Sequence, residues 1–154
     1  MNLSDTQNLA LDFMKLHNLD REWRFEFNNA KRLFGVCNHS KKTIELSRNL
    51  TLLNDAGRVK NTILHEIAHA LCDPREWHGR QWRETAISIG CDGLRLYDSN
   101  EVMQPAWTWR GLCPNGHETL RHRRARVSCR RCRIAAGFNR RGYHKQFKIK
   151  WARI

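Results

Sequence analysis

The sequence predicts an α+β fold in two parts. Helices packed on a small three-stranded antiparallel sheet are expected over residues 1–104, and a small cysteine-bearing module over residues 105–154. Three observations carry this expectation. Apolar spacing switches between helical and alternating periods along the first part. Two close pairs of metal-ligating residue types, Cys113 with His117 and Cys129 with Cys132, stand in the second. Charge divides the same way: residues 1–104 hold 14 Lys+Arg against 14 Asp+Glu, and residues 105–154 hold 14 basic residues against one acid, Glu118. The whole net charge of +13 therefore belongs to the second part.

Taken in order, Leu9, Phe13, Met14 and Leu16 predict an amphipathic first helix with Ser4 or Asp5 as its cap. Residues 23–27, 32–37 and 43–47 alternate well enough for three short strands. Asn54 and Asp55 are a cap for a helix running through residues 62–71. Pro74 prevents that helix from continuing, and Gly79 is expected to permit a tight turn. A further helix over residues 81–89 sets Trp82, Ala86 and Ile89 on its apolar side. Residues 97–105 form the linker where the charge changes character, and no repeat or low-complexity segment is visible. No signal peptide is expected, since Asp5 and Asp12 interrupt the apolar pattern and no basic leader precedes it. Nothing approaches the roughly 18 apolar residues of a membrane span.

The helix over residues 62–71 contains His65-Glu66-Ile67-Ala68-His69. Positions four apart share one helix face, with Cβ atoms about 5–6 Å apart, so both imidazoles can reach one zinc ion. Glu66, one residue after the first ligand, is placed to hold a water rather than the metal. This HExxH pattern is specific to zinc hydrolases. Two histidines and a glutamate decorating a helix by chance is the plain alternative. It would leave them among Ile63, Leu64, Ile67, Ala70 and Leu71, and unpaired burial there costs several kcal/mol. A catalytic zinc takes three protein ligands and keeps one position open. Cys72, Asp73, His78 and Glu84 are the downstream candidates for the third. His78 is favoured because a short loop after Pro74 can fold the chain back, and Glu84 is the runner-up.

The stretch from Thr62 to Gly93, with HEIAHAL, then HGRQW, then a helix ending Gly90-Cys91-Asp92, resembles the SprT-like zinc metalloproteases. That family includes the Spartan-type proteases, which degrade proteins crosslinked to DNA. The resemblance reaches upstream through Trp23-Arg24-Phe25-Glu26-Phe27, Arg32-Leu33-Phe34-Gly35-Val36-Cys37 and Thr43-Ile44-Glu45-Leu46-Ser47. It reaches downstream to the cysteine-bearing module, and is greatest to short versions carried by bacteria and their phages. It implies a peptidase domain over residues 1–104 followed by a zinc ribbon.

Cys113-Pro114-Asn115-Gly116-His117 and Cys129-Arg130-Arg131-Cys132 have the paired-knuckle spacing of a closed structural zinc site, three Cys and one His. Gly116 would let the first knuckle turn. Disulfides are the alternative, but nothing points to an oxidising compartment. Expected cofactors are thus two zinc ions, one catalytic on His65, His69 and His78, one structural on Cys113, His117, Cys129 and Cys132. Cys37, Cys72 and Cys91 are read as small buried hydrophobes.

The asymmetric charge calls for a polyanion. Arg121, Arg123, Arg124, Arg126, Arg130, Arg131 and Arg133 interleave with the ribbon ligands, and Arg140, Arg141 and Lys145 follow. Arginine forks suit phosphate. Trp107, Trp109, Phe138, Tyr143, Phe147 and Trp151 are either stacking faces for single-stranded DNA or simply ribbon packing. His122 falls outside the knuckle spacing and is expected to point at solvent or phosphate.

These readings combine into a cytoplasmic, monomeric, DNA-dependent zinc metalloendopeptidase with Glu66 as general base, binding DNA as single strands or without sequence preference and cleaving DNA-bound or DNA-crosslinked proteins. Tyr97 is a speculative oxyanion partner. The rivals are a nucleic-acid-binding zinc protein with a non-proteolytic HExxH site, and a protease dedicated to one regulator.

Overall fold

A computed structural model describes residues 1–97, 102–139 and 141–154. The chain divides into two compact units, residues 1–105 and 106–154, each α+β with its own three-stranded sheet.

The first unit opens with α1 (Leu3–Leu16). Its N-cap is Asn2 rather than Ser4 or Asp5: Asn2 Oδ1 accepts from the Asp5 amide at 2.8 Å, and Asn2 Nδ2 donates to the Asp5 carboxylate at 2.6 Å. The cap thus lies outside the apolar pattern that marked the helix, with Asp5 inside the first turn. Strands β1 (Arg24–Asn28), β2 (Gly35–Asn38) and β3 (Thr43–Ser47) follow.

The sheet is mixed, which corrects the antiparallel expectation. Its order is β1-β3-β2, with β3 parallel to β1 and antiparallel to β2. The hairpin between β2 and β3 turns within residues 39–42, so β3 returns beside β2. The loop before β2 carries the chain one strand-width further, leaving a slot that β3 fills. Ser47 locks this loop: its hydroxyl donates to the Ala30 carbonyl at 2.6 Å and its amide to the Phe34 carbonyl at 2.8 Å.

Three helices complete the unit: α2 (Arg48–Leu53), α3 (Ala56–Leu71) and α4 (Arg80–Ser88). Asp55 caps α3, its carboxylate accepting from the Arg58 amide at 2.9 Å. Asn54 does something else. Its side chain donates to the Leu50 and Met103 carbonyls and accepts from the Met103 amide. That pins the segment carrying Val102, which is buried in the core.

Helix α3 is buried on two stripes. Val59, Ile63 and Ile67 join Ala10 and Met14 of α1 and Ile44 and Leu46 of β3, while Leu64 and Ala68 pack with Trp82 and Ala86 of α4. With about 100° per residue, His65 and His69 then fall on a third face. Glu66 lies between that face and the core.

The second unit is a sheet of order β5-β4-β6, all antiparallel, from β4 (Trp109–Leu112), β5 (Glu118–Arg121) and β6 (Lys150–Arg153), with a short α-helix, α5 (Arg130–Ala135), and a 3-10 turn at Lys145–Phe147. Its apolar core is small: Ile149 and three cysteines, flanked by Val127, Phe147 and Trp151. No helix among the described residues is long and apolar enough to cross a membrane.

Candidate functional site

After α3, Cys72 is extended and two successive turns follow, closed by Glu76 N–H to Asp73 O and Gly79 N–H to Glu76 O, both 2.9 Å. The left-handed residue that reverses the chain is Trp77, at φ 51°, not Gly79, whose φ is −74°. Gly79 instead supplies space: a Cβ there would meet the Glu76 side chain. Glu76 in turn accepts the Gln81 amide at 2.9 Å and so caps α4. These turns deliver His78 onto the third face of α3.

His78 Nε2 stands 3.1 Å from both His65 Nε2 and His69 Nε2, and the three ligand atoms converge within 4.8 Å of one another. Nitrogens bound tetrahedrally at 2.0–2.1 Å would be about 3.3 Å apart, so the cluster fits a zinc ion. Glu84 lies elsewhere, exposed and bonded to Arg80 at 2.7 Å; Asp73 is paired with Arg75, and Cys72 is buried beside Thr85. Burial, followed by the His78 charge, lowers the His65 pKa to about 4. Burial and the other histidines lower that of His69 to about 3. Both rings are therefore neutral at pH 7, with lone pairs free for a metal.

Trp82 is the shared floor beneath the cluster. It stacks on His69 at 5.2 Å and 27°, and its ring meets His65 at 4.7 Å and His78 at 4.6 Å. Glu66 is buried beside the histidines. Burial pushes its pKa up to about 8, against a hydrogen bond from the Cys37 backbone. The Cys37 thiol is pushed up to about 12 by burial and by Glu66, so it stays protonated and inert.

The cluster opens into a cleft of about 300 Å³. One wall is Leu33, Phe34 and Gly35; the other is the segment Leu94–Tyr97. Asp92 ties the second wall to α3, accepting from Asn61 Nδ2 and the Leu94 amide, while its own amide donates to Asn61 Oδ1, all at 2.9 Å. The sequence contained Trp82 and Asp92 within stretches read for packing or resemblance, and their roles at the site were missed. Tyr97 lines the same cleft, its hydroxyl donating to the Arg32 carbonyl at 3.4 Å.

In the second unit, Cys113, His117, Cys129 and Cys132 bring their ligand atoms within 4.8 Å of one another. Cys113 Sγ and Cys132 Sγ are 3.7 Å apart, far beyond the roughly 2.05 Å of a disulfide. Tetrahedral zinc–sulfur bonds of about 2.3 Å would set them near 3.8 Å apart. Gly116, at φ 76°, closes the first knuckle, and Cys129 caps α5, which carries Cys132.

Around these ligands Arg121, Arg123, Arg124, Arg126, Arg130, Arg131, Arg141 and Lys145 are exposed. Arg140 lies outside the described residues. Arg133 differs: it is buried, its guanidinium donating to the Asn139 carbonyl at 3.0 Å, because α5 turns that face into the module. A groove of about 590 Å³ is lined by Arg121, Arg126, Arg130 and Arg131 with Tyr143. The aromatic rings are engaged internally. Trp107 stacks on His122 at 4.4 Å, which takes His122 from the free position expected for it. Arg124 lies over Trp109, Arg126 over Tyr143 and Arg121 over Trp151.

No curated protein matches the chain at a significant level. A family model described as SprT-like matches residues 6–101, the stretch holding the three histidines, Glu66 and both cleft walls. Covering more than half of the 154 residues, that match shows that the chain belongs to the SprT-like family.

Proposed function

We propose that this chain is a zinc metallopeptidase that cleaves proteins held on DNA. The observation that carries the reading is the convergence of His65, His69 and His78 Nε2, with the Glu66 carboxylate alongside, at the base of an open cleft. A zinc ion on the three histidines would polarise the scissile carbonyl and bring a water in its open position toward a pKa of about 7. The positive charge of that ion would favour the ionised carboxylate against the burial that raises the Glu66 pKa, and Glu66 would then accept a proton from the water and pass it to the departing amine. Leu33, Leu94 and Leu96 offer apolar contact to substrate side chains, and the Tyr97 hydroxyl is within the same cleft for the developing oxyanion. In the second unit, Cys113, His117, Cys129 and Cys132 would hold a structural zinc. The exposed arginines of its groove would hold phosphates without reading sequence. Tethering a protease of loose specificity to DNA raises its effective concentration toward proteins on the same strand, to the mM range for short linkers. This reading places the enzyme in the cytoplasm as a monomer.

The test is cleavage of a basic DNA-binding protein by wild type and Glu66→Gln, each without DNA, with single-stranded DNA and with duplex. DNA-stimulated cleavage that vanishes in the variant is the expected result. No cleavage under any condition, with zinc bound and DNA held firmly, would leave a nucleic-acid-binding zinc protein instead. A single cut in one partner among many DNA-bound proteins would point to a dedicated regulator.

A further inference from the structure

Strand β2 ends one side of its sheet. The Ser47 amide bonds the carbonyl of Phe34 directly opposite, and the register pairs Gly35 with Leu46. Hydrogen-bonded pairs in an antiparallel ladder alternate, so positions 34, 36 and 38 face β3. Gly35 and Cys37 turn their backbone groups to the open edge, and there the Cys37 amide meets the Glu66 carboxylate. Gly35 lies two residues earlier and is buried. A Cβ built on it would lie 2.7 Å from Glu66 Cγ, 2.8 Å from Cδ and closer still to Oε1. Gly35 is not among the residues with a left-handed φ, so the backbone does not require glycine here. The carboxylate does.

We propose that Gly35 is a positioning residue: its missing side chain, with the outward Cys37 amide, sets the Glu66 carboxylate beside the three-histidine cluster. The proposal rests on the peptidase reading only for its kinetic consequence. In Gly35→Ala, Oε1 has to withdraw by roughly 1 Å to regain ordinary contact, and misplacement on that scale costs about 10²-fold. Gly35→Ala is therefore expected to lower kcat about 10²-fold with KM within about threefold and zinc content unchanged. The visible spectrum of the cobalt-substituted protein should match that of wild type. Full kcat, or lost activity that tracks lost zinc, would overturn the proposal.

Where Gly35→Ala gives too little folded protein for kinetics, recovery of folded protein in Gly35→Ala with Glu66→Ala is expected and its failure would overturn the proposal; where the wild type cleaves nothing, thermal unfolding decides. Glu66→Ala removes the three atoms that lie nearest the new Cβ. The melting temperature lost on Gly35→Ala, about 5 °C, should disappear in the Glu66→Ala background. Equal shifts in both backgrounds, including none in either, would overturn the assignment. This cycle needs no proteolysis, so its result is separable from failure of the peptidase reading.

Discussion

At the scale of single residues, the site depends on side chains whose spacing is local and on others that only the fold brings near. His65, Glu66 and His69 were legible because one helix turn fixes their relation. The short loop after Pro74 favoured His78 over Glu84, but the reversal that delivers it, through Trp77 at a left-handed φ, is one that no aromatic side chain advertises. Gly35 and Cys37 approach Glu66, and Trp82 meets His65 and His69, from other elements of the fold, and periodicity carries no record of such meetings. Glu66→Gln should lower kcat by about 10²–10⁴-fold while zinc content holds, measured by cleavage assay and metal analysis on the same sample. Trp82 is almost completely buried under all three imidazoles. Trp82→Ala should therefore cost about 3–5 kcal/mol in denaturant unfolding and weaken zinc retention as well.

Among the elements, helices were read more faithfully than strand partners. Apolar positions give a helix its face, but alternation in a strand says nothing of which neighbour it takes. So β1, β2 and β3 were visible as segments while the parallel β1–β3 pairing was not. Caps were read unevenly: Asp55 caps α3 as expected, whereas α1 begins ahead of its apolar pattern and is capped by Asn2. Asp55→Ala should destabilise the first unit by about 1 kcal/mol, seen as a lower denaturation midpoint with an unchanged slope. The Asn61–Asp92 clasp makes a different prediction. Asp92→Ala frees the cleft wall carrying Leu94 and Tyr97, and should raise KM about five- to tenfold with kcat within about twofold.

Across the whole molecule, the division of charge and the division of cores coincide, and the two units would depend on a bound zinc differently. The second unit has too little apolar core to fold on burial alone. Chelation should unfold it, seen as loss of protected amides in residues 106–154, while the first unit, with its two large clusters, keeps its fold and loses only activity. Replacing Arg121, Arg126, Arg130 and Arg131 by Gln should reduce the salt slope of DNA binding by about one per residue. DNA stimulation should go with it, and cleavage without DNA should stay as in wild type. For the arginines resting on Trp109, Tyr143 and Trp151, order as well as charge would bear on affinity for a phosphate. A long cation in water wanders among many rotamers, and fixing one on a ligand costs about 0.5–1.5 kcal/mol. A guanidinium already laid against a ring has given up much of that freedom during folding, so an arriving anion meets donors that are partly arranged. Lysine in the same places would keep the charge and lose the arrangement.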